Sequence, residues 1–389
     1  MKAFLVLQDG TVFEGIHIGA DKEIISEIVF STSMAGYLEV LTDPSYAGKA
    51  VCMTYPLIGN YGVCREDMES ERTWPDALIV RELSRIPSNF RSECTIQQFL
   101  EENGVPGIAG IDTRALTRLL REKGVMNGMI TTNEHYNKEE IIEKLEKHTA
   151  GALVEKAGCG KAYTVEAVTD LKQNGPLFGS AHFDRESYEK GIREHKPSQV
   201  KALNGAGLKV ALLDLGVKKS QVEAFAARGC SVTVYPASVS AEEILATVPD
   251  GIVVSHGPGN PKEYGSVLEE VKKIYAAEIP VFGIGLGHQL LALAAGADTY
   301  KMKNGHRGGN YPVRDLTTGK VIISSQNHGY AVDTDKLDEK VAVPAFVNVN
   351  DDTNEGLSFT NKVILTVQFD PVGAGYLLDR FIDMMKGEN

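Results

Sequence analysis

Sulfur is scarce in this chain. The five cysteines (Cys52, Cys64, Cys94, Cys159 and Cys230) are scattered, odd in number and never paired as CxxC. That pattern excludes a disulfide framework and a cysteine zinc site, and it predicts a reduced, cytoplasmic protein. Long apolar runs are missing too. A stretch such as Leu290–Ala295 falls far short of the ~20 residues that a bilayer helix needs. The opening Met1-Lys2-Ala3-Phe4-Leu5-Val6-Leu7-Gln8-Asp9-Gly10 turns polar too early to predict a signal peptide. Positive charge is in deficit, with 40 Lys+Arg against 52 Asp+Glu and a net charge of −12. Nucleic-acid and anionic-membrane binders need clustered basic residues, so neither partner is expected. What is present is 43% hydrophobic content over 389 residues. That is enough for packed cores, and at roughly 150 residues per domain it predicts two or three domains.

The pattern changes twice along the chain. In residues 1–150, Ala3–Gln8 and Thr11–Ile18 flank the hairpin dipeptide Asp9-Gly10, and Ile24–Ser31 reads as another strand. Ile111–Glu122 is predicted helical, with Asp112 or Thr113 as N-cap and Gly124 as the stop. Asn137–His148 places Ile141, Ile142 and Leu145 on one helical face. Residues 151–206 lack a sustained period and are punctuated by Gly158, Gly160, Gly175, Pro176, Gly179 and Pro197, which predicts a linker. From residue 207 to 389, short apolar strands alternate with helices: Lys209–Asp214, Ser231–Pro236, Gly251–Ser255 and Val281–Ile284 among the strands. The expected fold class is α/β: a mixed N-terminal domain, then a doubly wound parallel sheet.

In such sheets ligands sit beyond the strand C-termini, and three loops there carry candidate chemistry. Ser255-His256-Gly257-Pro258-Gly259-Asn260-Pro261 can bring bare backbone to a ligand, or is a plain Gly/Pro turn. Gly283-Ile284-Gly285-Leu286-Gly287-His288-Gln289 has the small flanking residues of a nucleophile elbow, yet its centre, Gly285, has no side chain. A dinucleotide loop is the competing reading, but GxGxG is not GxGxxG. Ser325-Gln326-Asn327-His328-Gly329-Tyr330 reads as a polar turn at a strand end or a third site segment.

Together Gly257-Pro258-Gly259, Gly283–Gln289 and Asn327-His328-Gly329-Tyr330 resemble the glutamine-site segments of class I glutamine amidotransferases. In the N-terminal half, three segments resemble the small subunit of carbamoyl-phosphate synthase. They are Gly36-Tyr37 with Leu41-Thr42-Asp43-Pro44-Ser45-Tyr46, Tyr55-Pro56-Leu57-Ile58-Gly59-Asn60-Tyr61-Gly62, and Gly107-Ile108-Ala109-Gly110-Ile111-Asp112-Thr113-Arg114. The resemblance implies a subunit that hydrolyses glutamine and passes ammonia to a large subunit, which makes carbamoyl phosphate for pyrimidine or arginine synthesis. No cofactor is implied in this chain, since ATP and Mg would belong to the large subunit.

The family's Cys nucleophile, His base and Glu orienter fall at Gly285, Asp370 and Val372, the last two within Gln368-Phe369-Asp370-Pro371-Val372. Amide hydrolysis by this route needs a thiolate, a proton acceptor and a group to orient it, and none of the three positions supplies its part. By resemblance, Ser45, Gly257, Gly259, Leu286, Gln289, Asn327, Gly329 and Tyr330 match glutamine-contacting positions, so weak binding of glutamine or a similar amide is expected. The reading is a glutaminase-deficient small subunit that partners an ammonia-using large subunit. The alternatives are a functional glutamine-hydrolysing subunit and a stand-alone amide-binding sensor.

Overall fold

The computed structural model describes residues 1–151, 153–168 and 203–388. In the N-terminal part, seven strands close into a barrel. Lys2–Leu7 and Val12–Gly19 form the expected hairpin, with Val6 opposite Val12 and Gly10 at the turn with φ 82°. Ile24–Ser31, Lys49–Met53, Ala77–Ile79, Pro106–Ala109 and Met126–Thr131 complete the ring. Its interior is filled by alternate residues such as Leu5, Leu7, Ile28, Cys52, Ile79 and Ile108, all essentially inaccessible. The helix Thr113–Lys123 is capped at its start by the Asp112 carboxylate, which accepts from the Ala115 N–H, and stopped by Gly124 at φ 96°. Asn137 caps Lys138–Lys147 in the same way.

The C-terminal part is one ten-stranded sheet. Its centre is parallel: Ser231–Pro236, Lys209–Asp214, Gly251–Val254, Val281–Ile284 and Ile364–Val367 lie side by side in that order. Helices Lys219–Ala226, Gly265–Ala276, Leu286–Ala294 and Tyr376–Met385 cover it, and separate apolar cores form on its two faces. An antiparallel extension of Asn354–Phe359, Ala342–Asn348, Asp298–Asp315 and Val321–Asp333 continues the sheet at one edge. At the other edge Tyr163–Val165 pairs antiparallel with Ser231–Pro236, so part of the expected linker is built into the sheet. Residues 169–202 of that linker lie outside the described residues.

One reading needs correction. The segment Ser325–Tyr330 is not a turn at a strand end. The strand runs on from Val321 to Asp333, paired with Asp298–Asp315, so Asn327, His328 and Gly329 sit inside a β-ribbon.

Candidate functional site

The site lies where the parallel strands end and the N-terminal barrel closes over them. A cleft of about 460 Å³ is lined on one side by Thr32–Gly36, Glu39 and Asp43, and on the other by Lys218, His256, Gly285, Gln289, Asn327 and Asp370. A second, small cavity of about 30 Å³ adjoins it and shares Gly257, Asn327 and His328 as walls. Of the residues singled out in the sequence, Gly257, Gly285, Leu286, Gln289, Asn327 and Asp370 line the cleft. Ser45, Gly259, Gly329 and Tyr330 line the small cavity. Val372 lines neither; its N–H donates to Asp370 Oδ1 at 3.0 Å, and its side chain packs against the apolar core.

Gly285 sits between the strand Val281–Ile284 and the helix Leu286–Ala294, at φ 57° and ψ −108°. Its N–H donates to Val367 O at 2.8 Å. An L-residue is strained in that conformation. Space is short as well: a Cβ on residue 285 would stand 2.5 Å from His256 Cβ and 3.3 Å from His256 Cα. These are atoms close to the backbone, which cannot swing aside as a flexible side-chain end would. The His256 ring is held by Gln221, with Nδ1 3.1 Å from Gln221 Oε1, and its Nε2 lies 3.7 Å from Asp43 Oδ1.

Asp370 is not free in the cleft. Lys218 Nζ lies 2.7 Å from Asp370 Oδ2 and 3.8 Å from Asp43 Oδ2, and Gln221 Nε2 reaches Asp370 Oδ1 at 3.4 Å. Burial by itself would raise the Asp370 carboxyl, but the Lys218 ammonium outweighs it and holds the group below the ordinary carboxylate range. Asp43 is held down in the same way: burial opposes, while Lys218, His256 and Asn327 win. Burial would lower Lys218, yet Asp370, Asp43 and Glu69 together keep it well above its ordinary value. Asp43 also accepts from Asn327 Nδ2 at 2.9 Å and from the Ser45 N–H at 2.8 Å. The candidate ligand residues thus hold one another. Gln289 Nε2 donates to Tyr330 O and to Gln368 Oε1, both at 2.9 Å.

The sequence singles out Asp370 and Asn327 but not the ion cluster they join. Asp43 and His256 were inside quoted motifs without a role, and Lys218 and Gln221 carried no signal beyond following the strand Lys209–Asp214 at its ligand-facing end.

A family model described as "Carbamoyl-phosphate synthase small chain, CPSase domain" matches residues 5–130, and one described as "Glutamine amidotransferase class-I" matches residues 211–372. The carbamoyl phosphate synthase small chain of Listeria monocytogenes is 42% identical over 393 residues, covering 100% of this chain and 98% of the relative. The chain belongs to the carbamoyl phosphate synthase small chain family. Small chains from Fusobacterium nucleatum (42% identical, 97% of this chain and 96% of the relative) and Xanthomonas axonopodis (42% identical, 98% of each) are similar over the same extent. The matched glutamine amidotransferase segment contains the parallel sheet and the elbow at Gly285, and it ends at Val372.

Behind the cleft, His306, His328 and Glu355 are all buried and bring atoms of metal-ligand type within 4.8 Å of one another. Both ring nitrogens of His306 face acceptors, and His328, which burial keeps neutral, can donate to only one of its two neighbouring oxygens. His306 Nε2 lies 2.8 Å from Asp351 Oδ2 and Nδ1 lies 2.8 Å from Gln326 Oε1. His328 contacts Tyr330 O at 2.8 Å and Gln326 Oε1 at 3.1 Å. The group is a hydrogen-bonded polar core that braces the β-ribbon.

Proposed function

We propose that this chain is a small subunit that has lost glutamine hydrolysis and serves as a structural or regulatory partner of a carbamoyl-phosphate synthase large subunit working on free ammonia. The observation that carries this reading is the elbow at residue 285. It offers no nucleophile, and the room a side chain would need is taken by His256. The carboxylate standing at the base position, Asp370, is ion-paired to Lys218 and so is a poor proton acceptor. Val372 has no polar atom on its side chain with which to orient a base. None of the five cysteines lines the cleft, so no substitute thiol is at hand. Partnership with a large subunit rests on family membership over the whole chain.

The test is co-expression with the cognate large subunit. The reading expects co-elution on size exclusion, carbamoyl phosphate formed from ammonium and ATP, and no ammonia released from glutamine. Glutamine-dependent turnover at an ordinary rate would restore the working-subunit alternative. Failure to co-elute would favour a stand-alone protein.

A further inference from the structure

Three strands of the antiparallel extension each send one side chain to a common point in the interior. His306 comes from Asp298–Asp315, His328 from Val321–Asp333 and Glu355 from Asn354–Phe359. They are 6%, 8% and 0% exposed. The two imidazole rings stand nearly perpendicular, at 82° with centroids 5.0 Å apart. His306 Nδ1 and His328 Nε2 thereby face the same oxygen, Gln326 Oε1, at 2.8 and 3.1 Å. His306 Nδ1 also lies 3.2 Å from Glu355 Oε1.

Too few protons are present to satisfy these atoms. Ser324 Oγ donates to Tyr311 O at 3.1 Å, so it accepts from Gln326 Nε2 at 3.2 Å. That turns the oxygen of the Gln326 amide, and not its NH2, toward the rings. His328 is neutral and carries a single N–H. The shorter contact, 2.8 Å to Tyr330 O, takes that proton at Nδ1, and the Nε2 lone pair is left 3.1 Å from the Gln326 oxygen. Two acceptors then face each other with nothing between them. His306 directs Nε2–H to Asp351 Oδ2 at 2.8 Å. Asn348 Nδ2, a donor, stands 3.2 Å from Glu355 Oε1 and 3.4 Å from His306 Nδ1. Glu355 Oε2 is buried with no partner among the described residues, and burial pushes the carboxyl above its ordinary range. Buried polar atoms left in this condition are costly.

We infer that His306 Nδ1, His328 Nε2 and the Glu355 carboxylate bind a divalent transition-metal ion of the zinc type, with Gln326 Oε1 as fourth ligand, which pins the three strands together. Zinc bonds to nitrogen and oxygen of about 2.1 Å give a tetrahedron with edges of about 3.4 Å. The spacings of 2.8, 3.1 and 3.2 Å need only small adjustments to reach it. The other nitrogen of each ring is anchored, on the Asp351 carboxylate for His306 and on a backbone carbonyl for His328, which is how metal-binding imidazoles are oriented. Two imidazoles with oxygen donors suit zinc and its neighbours better than magnesium or calcium. Asp351 and Glu355 outnumber the one guanidinium, Arg307, that bears on His328. Gln326 and His328 also line the cleft, which gives an ion a way in. In the metal-free chain a proton on His306 Nδ1 holds the same place, so proton and metal are alternative occupants. The inference is independent of the proposed function, because the site pins strands whether or not any amide is cleaved.

The test uses the untagged full-length chain, stripped with EDTA and then titrated with zinc chloride. Magnesium chloride is the control, and cobalt(II) chloride is the spectroscopic stand-in. Calorimetry is expected to give one zinc ion per chain, and the melting temperature to rise with zinc but not with magnesium. The cobalt complex is expected to show the visible bands of a tetrahedral nitrogen and oxygen site, without the charge-transfer band of a thiolate ligand. Glu355→Gln and His328→Gln are expected to weaken zinc binding more than tenfold. Asp351→Asn, which only orients His306, is expected to weaken it about tenfold. Should the two buried variants fail to fold, Asp351→Asn, on a side chain that is 42% exposed, and the cobalt spectrum of the parent decide the matter. No saturable zinc uptake, an equal response to magnesium, a thiolate-type cobalt spectrum, or unchanged binding in the variants would overturn the site.

Discussion

His256 and Gly285 are mutually dependent: the Cβ of His256 lies 2.5 Å from where a Cβ on residue 285 would stand. The glycine therefore relieves two penalties, the strain of φ 57° and the collision. Gly285→Cys is expected to lose about 1–3 kcal/mol from backbone strain, with a further loss from displacing His256. Adding His256→Gly to that variant should recover the steric part and leave the strain, a non-additivity that a double-mutant cycle of thermal melts reads directly. Neither variant is expected to release ammonia from glutamine, because Asp370 and Val372 remain. A Cys variant as stable as the parent would refute the steric argument.

The β-ribbon carries a pH-dependent brace. Burial would lower His306, but Asp351 and Glu355 outweigh it and raise the imidazolium to about 9 from its usual 6.5. Asp351 in turn is resisted by burial and held at about 2, chiefly by His306. A group whose folded value is raised stabilises the fold when protonated. Its contribution is complete below pH 6.5 and is lost as pH rises through about 9. Melting temperature should therefore fall across that window, and Asp351→Asn should flatten the fall. A wild-type profile already flat between those limits would remove the brace.

Much of this fold could be read from local signals. The Asp9-Gly10 hairpin, the Asp112 cap with its Gly124 stop, and the alternation of short apolar strands with helices each depend on residues close in the chain, and each lies where the spacing put it. The ribbon Asp298–Asp315 with Val321–Asp333 was harder to see. It is rich in Gly, Asn and His, has register shifts between Lys301 and His306 and between Gly308 and Tyr311, and is held by cross-strand pairing rather than by a local apolar period. The elbow and the glycine-rich loop were legible because small residues at fixed spacing have steric meaning. The assembly of the ion cluster was not, since Asp43 comes from the barrel while Lys218, Asn327 and Asp370 come from the C-terminal sheet domain, 175 or more residues later. No spacing rule links residues that only tertiary packing brings together.

That cluster also joins the two halves of the molecule. Lys218, on the sheet side, sits between Asp370 of its own domain and Asp43 of the barrel, with each of the three side chains no more than 14% exposed. Removing the cation strands two carboxylates next to each other in a poorly hydrated place. Lys218→Met is expected to cost about 3–5 kcal/mol, the usual consequence of breaking a buried pair from one side. The double variant Lys218→Met with Asp370→Leu should regain part of that loss, because only Asp43 is then left without its cation, and Asp43 keeps Asn327 and the Ser45 N–H as donors. Urea unfolding of the parent and both variants measures the ordering. If Lys218→Met unfolds at the same denaturant concentration as the parent, the ion cluster contributes nothing to holding barrel and sheet together.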